Sequence, residues 1–252
     1  AGIEIENTQY ADVYGNLTED NTVGLAVFDL PGNPIVGRDV WIHDNIVRDN
    51  NRANFAPGGT VEQVPAGTGT FALASRRVLI EGNTYENNGT GDIAILSGLA
   101  IEADPNKWVI DPAEMRGDYE DLELISDEAG MLYNYRSENV VVRGNSHSGS
   151  GEEPDMGSLG KRPLGFLIGA MFAGEVPVDS VIYDTIGESA VDPADAAGNS
   201  NDNHICAAGN TEGTFVSLHL EALMAGFDSS NFPAFTDMYR PDFPFAPFDC
   251  TE

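Results

Sequence analysis

The stretch Val78-Leu-Ile-Glu-Gly-Asn83 is a short β-rich run that ends in Gly-Asn, and the chain repeats it. Three further runs align with it without gaps: Ala11-Asp-Val-Tyr-Gly-Asn16, Val40-Trp-Ile-His-Asp-Asn45 and Val140-Val-Val-Arg-Gly-Asn145. Their final asparagines are 29, 38 and 62 residues apart, which indicates a repeat of roughly 20 to 30 residues interrupted by loops. This uneven spacing favours a solenoid over a propeller.

Each run has two faces, because successive side chains of a strand point to opposite sides. Counting back from the asparagine, the fifth and third residues are apolar and are predicted to point inward: Ala11 and Val13, Val40 and Ile42, Val78 and Ile80, Val140 and Val142. The fourth and second residues are predicted to point outward: Asp12 and Tyr14, Trp41 and His43, Leu79 and Glu81, Val141 and Arg143.

The recurring asparagines have a structural explanation. Asparagine tolerates the left-handed backbone region, and its amide can bond to the equivalent amide on the next strand, ~4.8 Å away. We therefore interpret Asn16, Asn45, Asn83 and Asn145 as a stacked ladder rather than as ligand-binding residues. The predicted fold is an all-β, right-handed parallel β-helix pinned by this ladder.

Composition limits both the architecture and the partners. A chain of 252 residues with 41% hydrophobic residues is long enough for one sizeable core, so one domain is expected. With 41 acidic against 12 basic residues the formal charge is −29, which would repel the phosphates of nucleic acids. The longest apolar stretch, residues 164–173, is far shorter than the ~20 residues that span a bilayer. We expect neither nucleic-acid binding nor membrane insertion.

The chain divides into a solenoid and a cap. Residues 1–195 are predicted to form the β-helix, with inserted loops at about 51–69, 103–130 and 151–178, and residues 196–252 a C-terminal strand and cap of the same domain. Within the third loop, Leu164, Leu167, Ile168 and Met171 have the spacing of a helix that packs on the solenoid.

The two cysteines, Cys206 and Cys250, lie in the last fifth of the chain. They are interpreted as one disulfide that staples the cap, or else as two free buried thiols. The chain begins Ala-Gly-Ile without Met, which fits the product of an exported precursor. A secreted or periplasmic location is therefore expected.

Several longer phrases resemble an uncharacterised family of exported bacterial parallel β-helix repeat proteins, and the asparagine pattern resembles the pectate-lyase type of β-helix. The phrases are Gly24-Leu-Ala-Val-Phe-Asp-Leu-Pro-Gly32, Asn54-Phe-Ala-Pro57 with Val64-Pro-Ala-Gly-Thr-Gly69, and the pair Ile205-Cys206 and Asp249-Cys250. The resemblance implies an exported protein with another exported protein as a possible partner. It assigns no catalytic residues.

One outward column carries chemistry: Tyr14, His43, Glu81 and Arg143. An acid, a base and a cation in a row could abstract a proton beside a uronate carboxylate, although the same residues also fit a solvated polar face. Trp41 lies beside this column, with Tyr10 and Tyr14 nearby in sequence, and could supply a stacking platform for a sugar ring. The alternatives for Trp41 are a plain exposed aromatic and an aromatic covered by a loop.

Calcium is the cofactor that the sequence could accommodate. Acidic Asp/Asn loops offer the oxygens that this cation needs, and the richest stretch contains Asp192, Asp195 and Asp202. It matches no EF-hand loop and also fits a flexible, solvated segment.

These observations predict an exported acidic β-helix that binds a polysaccharide or a partner protein without catalysis. The alternative is a polysaccharide-active enzyme, of lyase or epimerase type, that acts on a uronate-containing glycan. Fold analogy alone does not decide between a binding module and an enzyme.

Overall fold

The computed structural model describes residues 1–157, 164–166, 168, 172, 176–190, 198–218, 220 and 247–249. In these residues the protein is mostly β, with parallel sheets and very little helix, as expected for an all-β chain. The 3-10 helices are Thr60–Gln63, Gly98–Ala100 and Pro105–Trp108. Within the described ranges, no helix is long and apolar enough to cross a membrane.

Three parallel sheets contain most of the strands, numbered here in chain order. Sheet A consists of β1 (Ile3–Glu6), β4 (Val23–Phe28), β7 (Thr68–Leu73), β10 (Gly91–Leu96), β16 (Val181–Tyr183) and β17 (Phe215–Ser217). Sheet B consists of β2 (Gln9–Tyr14), β5 (Arg38–His43), β8 (Arg76–Glu81) and β14 (Glu138–Arg143). Sheet C consists of β3 (Leu17–Glu19), β6 (Ile46–Arg48), β9 (Thr84–Glu86) and β15 (Ser146–Ser148). The chain visits A, B and C in this order, and we call each such visit a pass.

The insertion between β10 and β14 carries a small antiparallel sheet. Its strands are β11 (Val109–Ile110), β12 (Ile125–Ser126) and β13 (Leu132–Tyr133), with β13 in the middle. This insertion occupies residues 97–137, wider than the predicted loop at 103–130.

The four sequence repeats are the strands of sheet B, in register. Val13 pairs with Ile42, Ile42 with Ile80, and Ile80 with Val142. Ile42, Ile80 and Val142 are fully buried and belong to the same apolar cluster, as the alternation within each run predicts.

A fifth repeat lies in the stretch that the sequence analysis assigned to the cap. Ile205-Cys-Ala-Ala-Gly-Asn210 follows β14, with bridges from Val141 to Cys206 and from Ser146 to Thr211. The pattern is hard to see in the sequence because 65 residues separate Asn145 from Asn210. Two alanines also replace the larger residues of the other runs.

The asparagines form two ladders of hydrogen bonds. In the first, the backbone and side-chain N–H groups of Asn45 donate to Asn83 Oδ1 at 3.0 and 2.9 Å. The same pattern joins all its members: Asn16, Asn45, Asn83, Asn145 and Asn210. The second ladder joins Asn21, Asn50, Asn88 and Ser150. Each side chain thus satisfies backbone groups at a bend where no strand pairing is available.

The residue before each first-ladder asparagine has a positive φ. Gly15, Gly82, Gly144 and Gly209 take this position in four passes, with φ between 64° and 68°. In the second pass the position is Asp44, with φ 52°. Aspartate is among the few residues besides glycine that occupy this region readily. The turn therefore keeps its backbone conformation in the second pass and carries a carboxylate there.

From β4 onward, the strands of sheet A are buried on both faces. One face contributes Leu25, Ile93 and Ile95 to the interior shared with sheets B and C. The other face is covered by side chains from the insertions: Val64, Trp108, Leu164, Ile168 and Phe172. Residues 164–166 and 168 are helical, in the stretch predicted to pack as a helix; Leu167 and Met171 lie outside the described residues.

Candidate binding face on sheet B

The outer face of sheet B carries the predicted column of polar and aromatic residues. Tyr14 pairs with His43, His43 with Glu81, and Glu81 with Arg143, so the four residues occupy equivalent positions on neighbouring strands. Although 38 and 62 residues separate the aligned asparagines of these passes, no other strand of sheet B lies between their strands. The sequence alignment therefore predicts the neighbours of each residue on this face.

His43 and two aromatic side chains form a stack on this face. The His43 ring lies 3.9 Å from the Trp41 ring at 27°, and 5.1 Å from the Tyr14 ring at 12°, measured between centroids. Tyr14 is 60% and Trp41 is 42% exposed, whereas the side chain of His43 is 14% exposed. We call Tyr14, Trp41 and His43 the platform.

Two carboxylates fix the imidazole of the platform. His43 Nε2 lies 2.9 Å from Asp12 Oδ1, and His43 Nδ1 lies 2.8 Å from Asp44 Oδ2. The hydrogen bond to Asp44 is the main factor that raises the pKa of His43, aided by Asp12 and opposed by partial burial. Asp44 reaches the ring because it occupies the left-handed turn position directly after the strand.

The part of the column on β8 and β14 is an ion pair. Arg143 Nε donates to Glu81 Oε1 at 2.9 Å, and both side chains are partly exposed. Next to Trp41, an apolar strip crosses the following two strands. Leu79 pairs with Trp41 and Val141 pairs with Leu79, and both side chains are half-buried.

The insertion 97–137 contacts sheet B where its strands β2, β5 and β8 begin. Tyr10 Oη donates to Asp118 Oδ2 at 2.8 Å, and an Arg77 guanidinium nitrogen donates to Asp121 Oδ2 at 2.7 Å. Arg38 also binds Asp121, and these bonds to Arg38 and Arg77 hold the pKa of the Asp121 carboxyl well below its usual range. Hydrogen bonds and ion pairs therefore attach this insertion to sheet B.

The predicted calcium site is only partly within the described residues. Asp192 and Asp195 lie outside them. Asp202 Oδ2 accepts from the backbone N–H of Ser189 at 2.8 Å, and hydrogen bonds from Ser189 lower the pKa of this carboxyl. Among the described residues, no group of three or more His, Cys, Asp or Glu side chains could hold a metal ion.

Cys206 is disulfide-bonded. It lies half-buried at the outward position of the fifth repeat, beside Val141. Cys250 lies outside the described residues, so its pairing with Cys206 stays a prediction.

Sequence reasoning named Tyr14 and Trp41 as a stacking pair and His43 as part of the column, but it did not predict that His43 stacks on both rings or how His43 is held. Asp12 was assigned to the outward face, yet its contact with His43 runs diagonally between strands and is not visible in an alignment. Asp44 carried a usable signal, because it is the one non-glycine before an asparagine in the five aligned runs. No protein-family model, curated protein or solved structure matches the chain.

Proposed function

We propose that this protein is an exported, right-handed parallel β-helix that binds a polysaccharide on the outer face of sheet B without catalysis. The observation that carries the proposal is the exposed platform of Tyr14, Trp41 and His43. A sugar ring presents a flat face of C–H groups that can stack on an aromatic ring. Exposed aromatic side chains that also carry polar groups suit such a ligand.

The β-helix is inferred from the order of the sheets and from the ladders. Each pass contributes one strand to sheets A, B and C, and parallel connections between strands of one sheet are almost always right-handed. Stacked asparagines at one bend are consistent with coils that lie directly on one another. The disulfide of Cys206 supports export, because disulfides persist in oxidising compartments.

The platform is preorganised for binding. His43 is fixed by Asp12 and Asp44 and contacts both other rings. Binding to rings that are already held in place costs less side-chain conformational entropy than binding that must first order them. The side chains of Asp12 and Asp44 are exposed, so their carboxylates can also accept hydrogen bonds from sugar hydroxyls.

A polysaccharide fits this face better than a partner protein does. The centres of protein–protein interfaces are depleted of charged residues, whereas the centre of this face carries charges: Asp12, His43, Asp44, Glu81 and Arg143. The net charge of −29 further favours a neutral glycan, since it repels polyanions over the whole surface.

Electrophoresis through gels that contain a neutral polysaccharide, laminarin or xylan, tests the proposal. We expect at least one of them to retard the protein, and W41A and Y14A to weaken binding about tenfold, equivalent to ~1.4 kcal/mol. F55A is the matched control, because Phe55 is an aromatic that is 83% exposed and lies outside the platform. Unretarded migration in every gel, or an equal loss in F55A, would contradict the proposal.

The enzyme alternative retains one supporting observation, the alignment of Tyr14, His43, Glu81 and Arg143. A lyase or epimerase needs a base that can accept a proton. Both nitrogens of His43 are engaged with carboxylates, and Glu81 is paired with Arg143. We therefore expect no unsaturated products, followed by ultraviolet absorbance, when the protein is incubated with alginate or pectate; their appearance would favour the lyase.

A further inference from the structure

The two hydrogen bonds of His43 require a particular protonation state. Ionised carboxylates only accept hydrogen bonds, and a neutral imidazole carries a single N–H. Asp12 and Asp44 lie within 2.9 and 2.8 Å of the two ring nitrogens. Both bonds can therefore exist together only when His43 is an imidazolium.

The orientation of this ring also determines the geometry of the platform. Trp41 and Tyr14 both stack on His43, with interplanar angles of 27° and 12°. When the proton is lost, one nitrogen presents a lone pair to a carboxylate oxygen. The resulting repulsion favours rotation of the ring out of the stack.

The charged and titratable groups that face His43 come from both neighbouring strands and from the following turn. β2 contributes Asp12 and Tyr14, the turn after β5 contributes Asp44, and β8 contributes Glu81 directly across the register. Glu81 is itself bound by Arg143 of β14. Among the described residues, His43 is the basic group within ion-pair distance of Asp12 and Asp44.

We propose that the protonation of His43 gates ligand binding at the platform, with binding while it is an imidazolium and loss of binding once it is neutral. This inference rests on the proposed function, because it concerns the same site. It assigns to His43 a positioning role, which it exerts through Trp41 and Tyr14.

The direction of the pH dependence follows from the contacts. The carboxylates stabilise the charged ring, so its pKa in the folded protein is raised above the ordinary value of 6.5. The order of the platform is complete below that value and is lost as the pH rises through the raised pKa. Binding should therefore be strong at mildly acidic pH and weak at alkaline pH.

Two NMR resonances test the gate without a ligand: the His43 Cε1–H and the Trp41 indole N–H, followed from about pH 5 to pH 9. Both should shift with one common midpoint above 6.5. The midpoint should fall in D12N and in D44N, and the Trp41 transition should vanish in H43F, which keeps an aromatic ring. A Trp41 resonance that stays constant, or a midpoint unchanged in D44N, overturns the proposal.

Retardation in laminarin and xylan gels at pH 6 and pH 9 separates the gate from the binding function. We expect retardation to fall about tenfold at the higher pH in the wild type and to be independent of pH in H43F. If neither gel retards the protein at either pH while Trp41 still titrates, the proposed function fails, although the switch at His43 exists. If Trp41 titrates and retardation does not change, the gating proposal is wrong.

Discussion

Asparagine is the residue that determines how the passes stack. Asn83 is 1% exposed, and its side chain serves three partners: Asn45 on one side, Asn145 on the other, and the Ile42 carbonyl. Because these polar groups are buried, they cannot form hydrogen bonds with water when a partner is removed. The ladder therefore makes the register of the passes depend on single side chains.

We expect N83A to lower the free energy of unfolding by about 3 kcal/mol, because it leaves buried groups of Asn45 and Ile42 without partners at about 1–3 kcal/mol each. N16A is the matched control. Asn16 lies at the end of the ladder, and Asn45 Oδ1 keeps the backbone N–H of Asn16, so its loss should be about 1 kcal/mol or less. Equal denaturant midpoints for the two variants would remove the ladder from this account.

At this scale the sequence predicted positions better than contacts. A period of two places Tyr14, His43, Glu81 and Arg143 on one face, and their alignment makes them neighbours. The diagonal bond from Asp12 to His43 could not be predicted, since it depends on side-chain rotamers. The same limit applies to the ion pairs of Arg38 and Arg77 with Asp121, which join residues far apart in the chain.

Sheet A shows why whole elements were harder to predict than single residues. From β4 onward its strands are buried on both faces, so they lack the alternation of apolar and polar residues that marks sheet B. The side chains that cover the outer face belong to the insertions, and their spacing carries no repeat. Trp108 is the largest of them at 1% exposed, and it packs directly on Gly98, where a Cβ atom would lie 2.3 Å from Trp108 Cζ2.

G98A should therefore displace Trp108 and destabilise the cover by about 1–3 kcal/mol. Tryptophan emission in a W41F background reports the change, because the chain contains two tryptophans. We expect the emission of Trp108 to move towards that of an exposed indole. G58A provides the control, since the nearest atom to its added Cβ is a Glu62 oxygen at 3.9 Å; a Trp108 signal identical in both variants would refute this packing.

Over the whole molecule, the dominant property is negative charge. The acidic residues outnumber the basic ones by 41 to 12, and the potential of the whole surface adds to the local contacts of the platform. From composition the sequence predicted that the chain would repel nucleic acids, which stays a prediction. It could not predict that large exposed hydrophobic side chains would concentrate in the first two passes: Tyr10, Tyr14, Leu17, Trp41 and Ile46.

The most direct test of the binding claim is an NMR titration of the two indole N–H resonances with laminarihexaose and xylohexaose, which are soluble and neutral. Trp41 lies in the platform, whereas Trp108 donates its indole N–H to the Glu102 carbonyl at 3.0 Å and is buried elsewhere. We predict that at least one oligosaccharide shifts the Trp41 resonance in a saturable manner and leaves Trp108 in place. Constant resonances for both tryptophans, or a shift of Trp108 alone, would contradict the account.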